Sequence, residues 1–285
     1  MKIAVFDDCR IGVVNAGGIH DVSAALAAWQ PNRPWMVNEF IERFDELRPA
    51  VLKLCDEVPI PLADVRLRAP VPRPINFLAA PLNYRAHQSE MTGVMSSGID
   101  TAERLGFFVK AVGSISGPAD AIELPNRPER RFDYEGEIAV VIGRRAAGVP
   151  AERALEHVFG YTLLLDMTMR MTEDHREERT MRKSFSTFSP MGPWITTHDE
   201  AGDPSALSLR LWVNGELRQT GALTDLIVNV PEMISRASAV LPLEAGDVYT
   251  TGSPAGVGQI VPGDVIEVES PSIGRMRVEV AARAW

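Results

Sequence analysis

Residues 133–143 of this 285-residue chain read DYEGEIAVVIG, in which acidic residues precede an apolar run. The apolar run from Ile138 to Ile142 has the length of a strand, and Glu135 and Glu137 stand at its start. Alternate side chains of a strand share a face, so the two carboxylates should point the same way. Like charges at the mouth of an apolar strand are costly unless a cation joins them.

A third carboxylate, Asp166, ends the apolar run 161–165 further along the chain. Three carboxylates without a thiolate suit a hard divalent ion, Mg²⁺ or Mn²⁺ before Zn²⁺. The alternative is that Glu135 and Glu137 are solvated charges on an edge strand and that Asp166 caps a turn. The spacing alone leaves both interpretations open.

Composition limits the classes of function. The chain has 29 basic and 38 acidic residues, a net charge of -9, which argues against broad nucleic-acid binding but allows a local basic pocket for an anionic substrate. No run approaches the ~18 apolar residues of a membrane span, and no signal-peptide core follows the start. Two cysteines, Cys9 and Cys55, are too few for a disulfide framework. These features predict a cytoplasmic protein.

The first 70 residues predict a small α/β lobe. Two short strands and a following turn are expected at residues 2–6, 10–14 and 16–19. Residues 21–54 have apolar side chains at helical spacing, with Asp21 as the N-cap. The proline-rich stretch 59–74 has the character of a linker, which places a domain boundary near residue 70.

Beyond that boundary, residues 71–285 predict a predominantly β domain. Strands are expected at residues 75–80, 137–142, 161–166, 207–213 and 265–269. Two stretches have helical spacing instead, at residues 151–159 and 230–240. The predicted fold class is therefore α+β, with a small N-terminal α/β lobe before a larger β domain.

Five segments resemble elements of the fumarylacetoacetate hydrolase family, in the family's order. They are LNYRAH at 82–87, residues 133–143 with the GYT leading to Asp166, KSFSTF with MGPW at 183–194, VNGE at 213–216, and GDVYTTGSPAGVG at 246–258. The resemblance extends from about residue 71 to the C-terminus. It implies the mixed β-roll fold of that family, commonly as a homodimer.

The resemblance also implies a metal and a base. Glu135, Glu137 and Asp166 correspond to the ligands of Mg²⁺ or Mn²⁺ in that family. His87 and Glu90 correspond to its water-activating pair, in which the carboxylate orients the imidazole and raises its basicity. On spacing alone, a histidine and a glutamate three residues apart are more often a surface pair.

Three further residues are expected to contact the substrate. Arg170 has a planar fork suited to a carboxylate, and Lys183 supplies a point charge for an enolate or oxyanion. Thr251, in a glycine-rich loop that is not a phosphate-binding loop, could donate to the substrate carboxylate. The alternative is that both cations are solvated in a charged segment and that the glycines only form a turn. Lys110 also matches a lysine of the family, but no catalytic role is assigned to it.

The favoured function is a metal-dependent hydrolase, acylpyruvase-like, that cleaves a carbon–carbon bond of a β-diketo acid through a metal-stabilised enolate. An isomerase or decarboxylase of 2-hydroxy-diene-dioates or keto-dioates in aromatic catabolism is the first alternative, as in 2-hydroxyhepta-2,4-diene-1,7-dioate isomerases. A non-catalytic metal-binding relative is the second. Several positions near the expected pocket depart from the family pattern, namely Leu165, Met171, Glu173, Ser186 and Ser253. The expected partner is a small keto acid, with neither nucleic acid nor membrane.

Overall fold

The computed structural model describes residues 1–86 and 101–283. Within them, mostly antiparallel strands form an eleven-stranded sheet. Its main path is, in spatial order, β3 (Gly18–Asp21), β2 (Arg10–Asn15), β1 (Lys2–Phe6), β13 (Ser189–Thr197), β11 (Val158–Leu165), β10 (Gly136–Ile142), β16 (Val248–Thr250), β5 (Phe77–Ala79) and β6 (Phe108–Val109). Two short strands, β4 (Leu67–Arg68) and β7 (Ile115–Ser116), pair with β1 and β13.

Two smaller sheets and several helices complete the described fold. One sheet contains β12 (Thr168–Met169), β9 (Phe132–Tyr134) and β17 (Gly258–Gln259). The other contains β15 (Glu216–Ala222), β14 (Ser208–Val213), β18 (Val265–Ser270), β19 (Gly274–Ala282) and β8 (Ile122–Leu124). The α-helices are α1 (Met36–Glu42), α2 (Phe44–Leu54), α3 (Ala102–Leu105), α4 (Arg179–Arg182), α5 (His198–Ala201) and α6 (Val230–Ser238). The predicted α+β class is confirmed.

Strand β10 is buried along its whole length. Ile138 and Val140 pack into a core shared with the five-stranded sheet and α6, whereas Ala139 and Val141 pack into a second core with α1 and α2. A strand covered on both faces needs apolar side chains at successive positions, which explains its unbroken apolar run. The site residues at its N-terminal end are thereby attached to the most buried part of the sheet.

The N-terminal elements differ from the prediction in two places. The turn expected at 16–19 is shorter, because Asn15 pairs with Gly18 in a tight hairpin whose second strand is β3. The helical stretch 21–54 is divided into a 3₁₀ turn at Ser23–Ala25 and the helices α1 and α2. β1 also pairs with β13, so the N-terminal strands extend the large sheet. A domain boundary near residue 70 stays a prediction.

The helical stretch expected at residues 151–159 is shorter in the structure. Residues Ala151–His157 form a 3₁₀ helix, and Val158 already begins β11. The stretch 230–240 is helical as expected, ending at Ser238. No helix in the described ranges has the length and apolar character needed to cross a membrane.

Candidate metal centre

Three acidic side chains converge where β10 and β11 meet. Glu135 directly precedes β10, and Asp166 directly follows β11. The antiparallel register pairs Gly136 with Leu165, and the Asp166 N–H donates to the Glu135 carbonyl at 2.8 Å. Glu135, Glu137 and Asp166 each contribute a carboxylate oxygen to a set whose members lie within 4.8 Å of one another, and all three residues are buried. The convergence expected from the sequence is therefore present.

Two lysines neutralise part of this acidic cluster. Lys183 Nζ donates to Glu135 Oε2 at 2.6 Å, to Asp166 Oδ2 at 2.7 Å and to Thr168 Oγ1 at 2.7 Å. Burial opposes the charged ammonium, but the carboxylates of Asp166 and Glu135 outweigh it and raise the pKa of Lys183. An ammonium has three N–H donors, and these three contacts use them all. Lys183 therefore supplies charge to the site without a spare N–H.

Lys110 also belongs to the site, although no catalytic role was predicted for it from the sequence. Its Nζ donates to Asp166 Oδ1 and, at 3.2 Å, to the Phe188 carbonyl, and its side chain is fully buried. Burial lowers the pKa of Lys110, although the negative charge of Asp166 acts to raise it. The signal in the sequence was a lysine that ends the apolar run 107–109, where a buried charge needs a partner.

Glu137 differs from the other two carboxylates. Its Oε2 accepts the Gly252 N–H at 2.9 Å, and among the residues that the structure describes no lysine or arginine forms an ion pair with it. Burial, followed by the nearby Asp166 carboxylate, raises the pKa of Glu137 to about 8. Among the described residues, Glu137 is thus the carboxylate of the cluster without an ion-pair partner. Three convergent buried carboxylates fit a hard divalent cation.

The residues expected to contact substrate are already engaged within the protein. Arg170 donates from Nε to Asp133 at 2.7 Å and from Nη2 to Glu135 at 2.8 Å, with 31% of its side chain exposed. The Thr251 hydroxyl is buried and donates to the Ile138 carbonyl at 2.9 Å. Asp133 lies two residues before Glu135, as Glu135 lies two residues before Glu137. Its role as a carboxylate that binds Arg170 was not predicted from the sequence. The substrate-binding roles of Arg170 and Thr251 stay predictions.

His87 and Glu90 lie outside the described residues, so their proposed pairing also stays a prediction. Asn83, in the same LNYRAH element as His87, is described and buried. Its Nδ2 donates to the carbonyls of Val228 at 2.9 Å and Thr251 at 3.0 Å, and its Oδ1 accepts the Val228 N–H. Asn83 therefore binds the same loop that contacts Glu137.

Comparison with known proteins gives consistent results. The family model described as fumarylacetoacetate (FAA) hydrolase C-terminal matches residues 76–281. The maleylpyruvate hydrolase of Aquipseudomonas alcaligenes is 38% identical over 290 residues, which cover 98% of this chain and 99% of that protein. The similarity to this relative extends beyond the five segments that carried the resemblance, into the N-terminal lobe.

Two solved structures show the same fold. The crystal structure of maleylpyruvate hydrolase from Sphingobium sp. SYK-6 in complex with manganese(II) and pyruvate has a TM-score of 0.87 at 39% identity and covers 99% of both chains. The 2-hydroxyhepta-2,4-diene-1,7-dioate isomerase from Mycobacterium marinum has a TM-score of 0.68 at 34% identity, covering 79% of this chain and 81% of that one. The expectation from the sequence is confirmed, and the chain belongs to the fumarylacetoacetate hydrolase family of enzymes.

Proposed function

We propose that this protein is a divalent-metal-dependent hydrolase that cleaves a carbon–carbon bond of an acylpyruvate-like β-diketo acid. One observation carries the proposal: Glu135, Glu137 and Asp166 are buried, and each places a carboxylate oxygen within 4.8 Å of the others. Full-length similarity to maleylpyruvate hydrolases, one of them solved with manganese and pyruvate, supports this choice of substrate class. Maleylpyruvate is therefore the first substrate to test.

Glu135, Glu137 and Asp166 would hold Mg²⁺ or Mn²⁺, because carboxylate oxygens are the ligands these ions prefer. When bound, the ion would polarise the keto oxygen of the substrate and stabilise the charge that develops there. Lys183 and Lys110 hold two of the three carboxylates in place through direct hydrogen bonds. These lysines keep the cluster assembled before and during turnover.

The remaining chemistry falls to this chain's own side chains. His87, oriented by Glu90, would take a proton from the water that attacks the distal carbonyl. The bond between the acyl carbon and the adjacent methylene carbon then breaks, and the leaving fragment departs as a pyruvate enolate. Lys183 supplies positive charge next to this enolate, and Arg170, partly exposed beside Glu135, would face the substrate carboxylate.

A homodimer in the cytoplasm completes the proposal. The family resemblance supports the dimer, and two free cysteines, both only partly buried, support a reducing compartment. The ligand in each subunit would be a small keto acid.

Product analysis separates this proposal from its alternatives. With maleylpyruvate and Mn²⁺, we expect equal amounts of pyruvate and maleate, measured by chromatography and mass spectrometry. Similarity to a dioate isomerase makes isomerisation the second candidate, and it would give a product of unchanged mass. Release of carbon dioxide would indicate a decarboxylase. Bound metal without turnover of any acylpyruvate would favour a non-catalytic relative.

Replacing His87 with alanine should retain the metal but lower turnover by at least ~100-fold, the usual contribution of a general base. Metal content and steady-state rates with maleylpyruvate measure the two effects separately. His198→Ala is a matched control, because His198 contacts the Tyr161 hydroxyl at 3.2 Å, and Tyr161 precedes Asp166 by five residues. Near-native turnover of His87→Ala would show that the base has been assigned wrongly.

A further inference from the structure

A buried glutamine reaches the candidate metal centre from the second sheet. Gln219 lies on β15, which is the edge strand of the five-stranded sheet among the strands described. The preceding residues of this strand are exposed, yet Gln219 is only 1% exposed. Burying an uncharged amide is costly unless its polar atoms are hydrogen-bonded. Its hydrogen bonds therefore indicate what the side chain does.

The amide of Gln219 joins two segments of the site. Its Oε1 accepts the backbone N–H of Gly136 at 2.9 Å, and Gly136 lies between Glu135 and Glu137. Its Nε2 donates to the Ser253 hydroxyl at 2.8 Å and to the Pro254 carbonyl at 2.8 Å. The orientation of the amide is unique, since Gly136 N–H can only donate and the Pro254 carbonyl can only accept.

These bonds lie where two neighbouring strands separate. β16 pairs with β10 only from Ala139 to Val141, and Thr251 makes one more backbone bond, to Ile138. Beyond that point the Gly252 N–H turns to the Glu137 carboxylate at 2.9 Å. Gln219 fills the gap that opens where β16 no longer pairs with β10. It binds Gly136 on the β10 side of this gap and residues 253–254 on the other side. Both attachments are next in sequence to the contact of Gly252 with Glu137, since Gly136 precedes Glu137 and Ser253 follows Gly252.

The close approach of β15 depends on glycines that leave no room for a side chain. A Cβ on Gly136 would lie 2.8 Å from Leu211 Cδ1 and 3.3 Å from Gln219 Oε1. A Cβ on Gly256 would lie 2.0 Å from the Arg218 carbonyl oxygen, and Gly256 has a φ of +94°. Gly136 therefore packs against side chains of β14 and β15, and Gly256 packs against the backbone of β15.

We infer that Gln219 is a positioning residue of the metal centre, which sets the distance between the Glu135–Glu137 backbone and the loop that holds the Glu137 carboxylate. This inference rests on the proposed function, because it requires that the cluster bind a divalent ion. Groups that orient metal ligands from outside the coordination sphere typically change metal affinity about 10–100-fold when they are replaced. The structure assigns that role to an uncharged amide on a different sheet.

The test is the Mn²⁺ affinity of metal-stripped protein, measured by electron paramagnetic resonance of free Mn²⁺ at a temperature where every variant is folded. Gln219→Met keeps the length of the side chain and removes its hydrogen bonds. Asn76→Leu is the matched control, because Asn76 Nδ2 binds Asp247 at 2.6 Å near the opposite end of β10. Thermal midpoints without metal show how far each substitution destabilises the fold.

We expect Gln219→Met to bind Mn²⁺ about 10–100-fold more weakly than the unmodified chain. Asn76→Leu should lower the thermal midpoint. Its Mn²⁺ affinity should stay within about twofold of that of the unmodified chain, because Asn76 does not orient a metal ligand. If Gln219→Met does not fold, the Mn²⁺ affinity of Gln219→Glu is measured instead. Glutamate keeps an oxygen that can accept the Gly136 N–H, but its second oxygen faces the Pro254 carbonyl and cannot donate to it. An unchanged affinity in the Gln219 variant, with normal binding by the unmodified chain, overturns this inference alone. If the unmodified chain itself binds no Mn²⁺, the proposed metal centre is wrong and the role of Gln219 falls with it.

Discussion

Replacing Glu137 with glutamine should leave a folded protein that no longer retains Mn²⁺ or Mg²⁺ and has no measurable turnover. Glutamine has nearly the same shape, and its amide oxygen can still accept the Gly252 N–H that binds Glu137 Oε2 at 2.9 Å. The substitution removes one of three carboxylates from the cluster. A bound cation contributes several kcal/mol to catalysis, so we expect a loss of at least ~1000-fold at about 1.4 kcal/mol for each tenfold.

The stability of this variant should change little. Burial and the Asp166 carboxylate raise the pKa of Glu137 to about 8, so near neutral pH the metal-free protein already favours the uncharged acid. An amide therefore replaces a group that is largely neutral before metal binds. Elemental analysis, steady-state kinetics and urea unfolding measure the three quantities. Glu279→Gln is the control, since Glu279 is exposed and pairs with Arg277 at 2.9 Å. Full metal content with near-native turnover in Glu137→Gln would contradict the ligand assignment.

Replacing Lys183 with methionine should affect both turnover and stability. The ammonium binds Glu135 at 2.6 Å and Asp166 at 2.7 Å while almost entirely buried. Removing one partner of a buried ion pair costs about 3–5 kcal/mol, because the remaining charge is left uncompensated. Each carboxylate keeps one other cation, Arg170 or Lys110, so we expect the lower end of that range. Loss of its charge beside the enolate should reduce turnover by roughly 100–1000-fold.

Added Mn²⁺ distinguishes a specific role of Lys183 from general damage to the fold. A divalent ion bound by the same carboxylates stabilises the native state by mass action, so Mn²⁺ should recover part of the lost unfolding free energy but not the turnover. Urea unfolding with and without Mn²⁺ and steady-state rates test this. Lys53→Met, on the exposed face of α2, should change neither quantity. Near-native rates in Lys183→Met would exclude its role beside the enolate.

Local patterns indicated a possible acidic cluster but did not exclude solvated charges, and the family resemblance decided between the two interpretations. The two-residue spacing of Glu135 and Glu137 fixes their common face, and the apolar runs that border them and Asp166 indicate buried strands. The family resemblance added that these three residues correspond to metal ligands. The structure supplies the register, in which Gly136 lies opposite Leu165 and brings Asp166 beside Glu135.

Long-range contacts could not be predicted in the same way. Lys110 and Gln219 belong to the site through partners at least 34 residues away in sequence, so no local pattern shows what they bind. The third N-terminal strand, β3, was missed because Gly17 and Gly18 indicate a turn but do not show where it ends. The stretch 151–157 has helical spacing in sequence, and only its packing decides between a 3₁₀ helix and an α-helix.

In the proposed metal centre, three buried carboxylates bind one hard cation, and a keto acid coordinates the same cation. A crystal structure of the chain with Mn²⁺ and oxalate, a mimic of the pyruvate enolate, tests this arrangement most directly by anomalous scattering. We predict a single anomalous peak roughly 2.0–2.4 Å from an oxygen of each of Glu135, Glu137 and Asp166, with oxalate completing the coordination. Manganese bound elsewhere, with these carboxylates still held only by Lys110, Lys183 and Arg170, would contradict the account.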